Sequence, residues 1–270
     1  MNLAEKFDYL NTSVHFVGNL FTNLKPENVL PDYSVLSVNS LAIDFFNANG
    51  IEAIIWDVDG TLMRYHGQCV DDSIKAVFGK LTYAKRLNAK KALDAEKGLK
   101  HAILSNSGEN RFRELGYIFP EIPVLRMYES NTGIIERRLY QHKDHIVMKQ
   151  KSNYSSTDRS GLDSDYDLAS EKQKQLRDVY MELINHKYST IKKPDTRLIE
   201  YAMRELSISD PKKVAMVGDR AFTDITGGNQ AGVCTIYIST PLHPHTDPFL
   251  IRAFARPVEA LVVKMYNAIR

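Results

Sequence analysis

The sequence predicts an α/β protein built on a doubly wound, parallel, five-stranded Rossmann-like sheet, and three observations predict it. Five short apolar runs rich in β-branched residues recur along the chain, each is separated from the next by a helix-length stretch, and several end directly in acidic or hydroxylated residues. Parallel strands need crossovers, and helices supply them while covering both faces of the sheet.

Taken in order, Leu3, Phe7, Leu10, Val14, Val17 and Phe21 fall at the spacing of one helix face, so an amphipathic helix is expected from Met1 to about Leu24. Pro26 and Pro31 bracket a loop, and helical periodicity returns from Val35 to Phe46 before Asn47-Ala-Asn-Gly50 breaks it. The first strand is Glu52 to Val58, followed by the Asp59-Gly60 turn. The others are His101–Ser105, Pro123–Met127, Lys213–Val217 and Cys234–Ile238, with helices around Asp72–Ala95, Asn110–Tyr117, Asp195–Leu206 and Thr223–Ala231. The rhythm fails between the third and fourth strands, where Lys149–Asp165 is polar and without apolar periodicity, as a mobile loop would be. The expected organisation is a helical lead at 1–50, a catalytic core at 51–240 with a polar insert at 143–186, and a C-terminal amphipathic helix at 241–270.

Composition narrows the function classes. The 270 residues carry Lys+Arg 35 against Asp+Glu 33, a balance that argues against a general nucleic-acid binder. Cys69 and Cys234 are the two cysteines, too few for a disulfide framework or a thiolate zinc site, and a reducing compartment follows. No apolar run is long enough to span a bilayer, and the first residues lack a secretory signal pattern.

Open α/β sheets hold their ligands at the carboxyl ends of the strands. There the sequence places Asp57, Asp59, Gly60 and Thr61 after the first strand, Ser105 and Asn106 at the end of the second, Lys193-Pro194 before the fourth, and Gly218-Asp219 with Asp224 after it. Carboxylates crowded on one edge repel unless a cation joins them or a proton is taken up. All-oxygen ligation favours a hard ion, and Mg²⁺ suits a site that also handles phosphate oxygens. With a lysine beside the acids, the chemistry indicated is phosphoryl transfer. Asp57-Val-Asp-Gly60 is not a calcium loop, because the glycine comes too early and no Glu closes it. His243-Pro-His245 with Asp247 reads as a surface loop rather than a second metal site.

These motifs, in this order, resemble the four ordered motifs of the haloacid dehalogenase superfamily of phosphatases. The resemblance implies that Asp57 is the nucleophile, forming an aspartyl-phosphate, and that Asp59 acts as general acid and then base. It further implies that Ser105 bonds a phosphoryl oxygen, that Lys193 neutralises charge, and that Asp57, Asp219 and the Asp59 carbonyl hold Mg²⁺ with support from Asp224. Thr61, Asn106 and Lys193 are the expected substrate contacts. The stretch from Leu62 to His101 is too short for a large cap domain, so an open site accepting a bulky or surface-bound substrate is expected.

Ile122-Pro-Val-Leu-Arg126, the run Val214–Ile225 and the following Asn229 resemble the mitochondrial phosphatidylglycerophosphate phosphatase family and its bacterial relatives. That resemblance implies a phospholipid substrate, phosphatidylglycerophosphate, with phosphatidylglycerol as product for the cardiolipin pathway. It also implies the matrix side of the mitochondrial inner membrane, with a cytoplasmic, membrane-associated location as the alternative. A soluble metabolite or nucleotide phosphatase, a phosphoprotein phosphatase and an idle scaffold remain competing readings. An anionic membrane surface is the expected partner, met by the bases Lys75, Lys80, Lys85, Arg86, Lys90, Lys91, Lys97 and Lys100. The C-terminal stretch from Pro248 could lie on a bilayer or close the sheet.

Overall fold

The computed structural model describes residues 25–88, 98–130, 135–140, 147–152 and 189–269. The expected N-terminal helix lies outside them, as does the insert from 153 to 186. Among the described residues, one nine-stranded sheet organises the fold. Its strands are β1 (Tyr33–Val35), β2 (Ala53–Trp56), β3 (Lys100–Leu104), β4 (Val124–Glu129), β5 (Ile135–Tyr140), β6 (Val147–Ser152), β7 (Ser189–Ile191), β8 (Val214–Gly218) and β9 (Cys234–Ile238). The order is β1-β9-β8-β2-β3-β4-β5-β6, with β7 also paired to β4.

The expected parallel strands are β9, β8, β2, β3 and β4, and every neighbouring pair among them is parallel. Four strands extend that core. β1 adds a parallel edge on β9, while β5, β6 and β7 are antiparallel additions beyond or beside β4. Two expectations therefore change. The helix expected over 35–46 is instead the end of β1, a 3-10 turn at Val38–Ser40 and a short helix α2 (Ile43–Ala48), which follows α1 (Pro26–Val29). Ser37 starts the 3-10 turn by accepting the Asn39 N–H on its hydroxyl, so a local cap overrides the continuous periodicity. The polar segment expected to be a loop contributes its first residues, Lys149–Ser152, to β6, because a β-strand at a sheet margin needs only one neighbour and little apolar content.

Alternation along the strands explains the two-sided core. Ile54 and Trp56 of β2 join Ile103, Val217, Phe112 and Leu115 on one face, whereas Ala53 and Ile55 join Ala102, Leu104, Met216, Leu198 and Tyr201 on the other. Helices α3 (Lys75–Asn88) and α4 (Glu109–Ile118) supply Phe78, Leu81, Phe112 and Leu115 to the first face. Helix α5 (Thr196–Glu205) supplies Leu198, Ile199, Tyr201 and Ala202 to the second, its N-terminus capped by Asp195. Helix α6 (Thr226–Ala231) follows a π turn at Ala221–Ile225, and α7 (Arg256–Ile269) follows another at Ile251–Ala255.

One polar pair sits inside this core. Trp56 Nε1 donates to His101 Nδ1 at 3.1 Å, so the other ring nitrogen carries the proton that bonds the Leu81 carbonyl at 3.2 Å. Burial pushes the His101 pKa down from 6.5 to about 4, against the Leu81 bond, and the ring is neutral at pH 7. The folded state binds fewer protons than the unfolded chain between those values, so this contribution is full above pH 6.5 and is lost as the pH falls toward 4. The expected loss is about 3 kcal/mol at about 1.4 kcal/mol per unit. Urea melts at pH 7 and pH 4.5 should show it as a difference between the parent and His101→Gln, whose stability lacks this pH dependence.

Candidate active site

The parallel strands all deliver their carboxyl ends to one edge, and the residues just beyond those ends build the site. Asp57 continues β2 directly, its N–H donating to the Val217 carbonyl of β8 at 2.9 Å. Ser105 and Asn106 come after β3, Asp219 after β8, and Asp224 sits in the π turn beyond it. Lys193 arrives two residues after β7, because the antiparallel pairing of β7 with β4 brings its end back to the same edge.

Lys193 is buried at the centre. Its Nζ lies 2.5 Å from Asp57 Oδ1 and 2.7 Å from Asp224 Oδ1, and donates to the Leu104 carbonyl at 2.9 Å. Burial works against its charge, but Asp224 and Asp57 more than offset that and hold the ammonium above its ordinary pKa. Asn106 fixes the backbone there from both sides: its Oδ1 accepts the Lys193 N–H at 2.8 Å, and its Nδ2 donates to the Lys193 carbonyl at 3.0 Å. Thr61 Oγ1 stands between Asp57 Oδ2 and Asp219 Oδ1 at 3.4 and 3.3 Å. Thus the structure brings Asp57, Thr61, Lys193, Asp219 and Asp224 together, while Asn106 spends its amide on placing Lys193.

Asp59 stands beside this cluster rather than in it. The His66 N–H donates to its Oδ1 at 3.2 Å and Arg111 Nη2 lies 3.5 Å away. Burial raises its pKa, opposed chiefly by the Arg111 charge. Ser105 Oγ donates to Ser107 Oγ at 2.9 Å and accepts the Ser107 N–H at 3.2 Å, a turn that keeps the hydroxyl at the strand end.

Two glycines are dictated by carboxylates. A Cβ on Gly218 would stand 2.2 Å from Asp224 Oδ2, and one on Gly60, whose φ is +93°, would stand 2.2 Å from Asp219 Oδ2. Neither position has room for a side chain, and Gly60 also needs the left-handed backbone that only glycine adopts freely.

Asp57, Asp219 and Asp224 offer oxygens that all lie within 4.8 Å of one another, the one such set among the described residues. Burial raises the Asp57 pKa well above its ordinary value, Asp224 and Asp219 add to this, and Lys193 only partly opposes it. Three buried carboxylates of this kind fit a hard divalent cation, which would let all of them ionise. The Asp59 carboxylate is not part of the set. His243 and Asp247, weighed as a second metal site, have other partners: His243 Nε2 lies 2.7 Å from Asp71 Oδ2, and Asp247 pairs with Arg256.

Sequence reasoning missed the cations that complete the site. Arg256, the first residue of α7, places Nη1 2.7 Å from Asp219 Oδ2, off the hydrogen-bond line, so the contact is an ion pair. Its Nε is held by Asp247. Three residues on, buried Glu259 accepts from Arg220 at 2.8 to 3.1 Å through both of its oxygens, and Oε2 also accepts the Ala221 N–H. Arg111, beside Asp59, is another such cation. Their signal in the sequence is limited to a cation and an acid three apart on a helix, Arg256 and Glu259, whose partners lie far back along the chain.

Residues 125–243 match the family model described as mitochondrial PGP phosphatase. The mitochondrial phosphatidylglycerophosphatase GEP4 of Saccharomyces cerevisiae is 32% identical over 134 residues, 48% of this chain and 60% of that protein. The pyrimidine 5'-nucleotidase YjjG of Escherichia coli is 34% identical over 64 residues, 24% of this chain and 28% of that protein. The matched segments thus span less than two thirds of either relative. A haloacid dehalogenase-like hydrolase from Brucella suis aligns over 77% of this chain and 93% of its own, at 14% identity and a TM-score of 0.36. With its motifs Asp57–Thr61, Ser105, Lys193 and Gly218–Asp224 set around one strand edge, the chain resembles the haloacid dehalogenase superfamily and, through residues 125–243, the mitochondrial PGP phosphatase family.

Proposed function

We propose that the chain is a Mg²⁺-dependent phosphatase that hydrolyses phosphatidylglycerophosphate to phosphatidylglycerol through an aspartyl-phosphate on Asp57. The observation that carries the chemistry is the lodging of Asp57 between Lys193 and the carboxylates of Asp219 and Asp224. The family match over residues 125–243 and the yeast relative carry the substrate. By the same reasoning the chain acts in mitochondria, on the phospholipids of an anionic membrane.

Asp57, Asp219 and Asp224 would hold the Mg²⁺, which would supply positive charge beside the phosphoryl group and let Asp57 ionise. An Asp57 oxygen attacks phosphorus and the bond to the lipid alkoxide breaks. Asp59 protonates that leaving oxygen, a role to which its burial-raised pKa is suited. Asp59 then takes a proton from water as the water attacks the aspartyl-phosphate, releasing phosphate and restoring Asp57. Lys193 neutralises charge on the transferring group, and the Ser105 hydroxyl, turned from Ser107, donates to a phosphoryl oxygen. Splitting the hydrolysis in two matters because phosphate monoesters are among the slowest substrates in water, requiring accelerations of up to ~10²¹.

The test is a substrate panel. Phosphate release from phosphatidylglycerophosphate in vesicles should far exceed release from nucleotides, phosphopeptides or p-nitrophenyl phosphate, should stop in EDTA and should return with Mg²⁺. A preference for free nucleotides would move the reading to a soluble phosphatase on the same core.

A further inference from the structure

Residues 249–269 form one helix interrupted by the π turn at Ile251–Ala255. Its inner side is buried: Ala255, Glu259 and Val263 face the protein, and Val263 packs with Val29, Ala221 and Phe222. A surface helix ordinarily turns a polar stripe outward. Here the outer side carries Phe254, Leu261 and Met265 at helical spacing, exposed by 59%, 57% and 54%. The π turn sets Phe249, itself 65% exposed, beside Phe254, with ring centroids 6.5 Å apart and edge to face. The exposed charges of this helix are Arg252, whose Nη1 donates to the His245 carbonyl at 3.0 Å, and Lys264, while its acid, Glu259, is buried on the inner side against Arg220.

We infer that this outer face docks on an anionic lipid bilayer, lying in the headgroup plane. Phe249, Phe254, Leu261 and Met265 would enter the upper acyl region, and Arg252 and Lys264 would meet lipid phosphates. The inference rests on the phospholipid phosphatase reading and deepens it by naming the surface that meets the substrate's membrane. The basic stretch expected to do this exposes no large apolar side chain among its described residues. Within it Lys80 is exposed, Lys100 Nζ is bonded to the Leu206 carbonyl at 2.6 Å, Lys75 lies 3.7 Å from Asp72, and the side chains of Lys85 to Lys97 fall outside the described residues.

Charge chooses the bilayer over a second copy of the chain. A two-fold interface sets the same patch against itself, and this patch offers two cations and, among its described residues, no exposed acid to receive them. Position supports the same choice, since the inner side of the helix reaches the site through Arg256 on Asp219 and Glu259 on Arg220. Docking the outer side would therefore hold the acid cluster about one helix diameter, ~10 Å, from the headgroup plane. No helix among the described residues is long and apolar enough to cross a membrane, so this one would lie on the surface.

The experiment is co-flotation of the full chain with phosphatidylcholine vesicles, with and without phosphatidylglycerol. The variants are F249Q/F254Q, L261Q/M265Q and R252Q/K264Q, each checked by thermal melting and by p-nitrophenyl phosphate turnover. The parent is expected to bind the anionic vesicles, and each apolar pair change to weaken that binding at least tenfold. The cation variant should lose about fivefold per charge, on anionic vesicles alone. Melting and soluble turnover should stay at parent values. Failure of the parent to bind, or binding by the apolar variants equal to the parent's, overturns the docking surface. So does a parent dimer that the apolar changes convert to monomer with vesicle binding unaltered. A parent that shows the expected vesicle dependence yet releases no phosphate from any substrate leaves the surface standing and removes the phosphatase reading.

Discussion

Asparagine in place of Asp57 is expected to abolish phosphate release, a fall on the order of 10⁴-fold or more, as for loss of a nucleophile in other covalent catalysts. The amide keeps the size and planarity of the carboxylate but cannot form the acyl-phosphate. The same change should not weaken the fold. Asp57 is a buried acid whose ionisation is opposed by burial and by Asp224 and Asp219, so a neutral group there removes repulsion. The amide oxygen of the substituted side chain can still accept from the Lys193 ammonium, which stands 2.5 Å from the present carboxylate oxygen. Steady-state assays paired with thermal melts in EDTA would read both effects. Turnover near the parent's would remove Asp57 as the nucleophile, and a large drop in melting temperature would contradict the account of repulsion.

Lys193→Met is expected to act in the opposite sense on stability. Its ammonium is the cation shared by Asp57 Oδ1 and Asp224 Oδ1, and removing it leaves two carboxylates buried and uncompensated. Breaking a buried charge pair by deleting one partner typically costs about 3–5 kcal/mol, and urea melts of the metal-free protein should show a loss of that order. Activity should fall by about 10²-fold or more, as when a preorganised donor to the transferring charge is lost. Coupling the change to Asp224→Asn removes one of the stranded charges. The double variant should therefore regain stability without regaining turnover, and this separates an electrostatic role from plain packing. Equal losses in the single and double variants would sink that separation.

The sequence made the catalytic edge legible for a physical reason. A parallel strand buried on both faces is a short apolar run, and the first polar residue after it marks where the chain leaves the core. Asp57, Ser105 and Asp219 all occupy such points, so strand ends and reactive groups could be read together. Lys193 was legible only by its place in the motif order, because it follows the three-residue strand β7, which has no pattern of its own. The same shortness hid β1, whose place at the sheet edge depends on β9 some two hundred residues later. The strand β6 was hidden by its polarity, Val-Met-Lys-Gln-Lys-Ser, which matches neither a buried strand nor a helix face. Arg256 and Glu259 offer the sequence no more than a cation and an acid three apart on a helix, because their partners, Asp219 and Arg220, are neighbours only after folding.

The wiring of α7 into the site also orders events in time. Asp219 and Arg220 are synthesised well before Arg256 and Glu259, with Arg220 and Glu259 separated by 39 positions. While a nascent chain has reached β9 but not α7, every strand of the sheet exists, yet these two charges lack their counterparts. Sheet assembly and electrostatic completion of the centre are then separate stages of biosynthesis. A chain cut short between Ile238 and Arg256 and freed from the ribosome would carry every described strand, yet Asp219 and Arg220 would lack the partners that α7 brings.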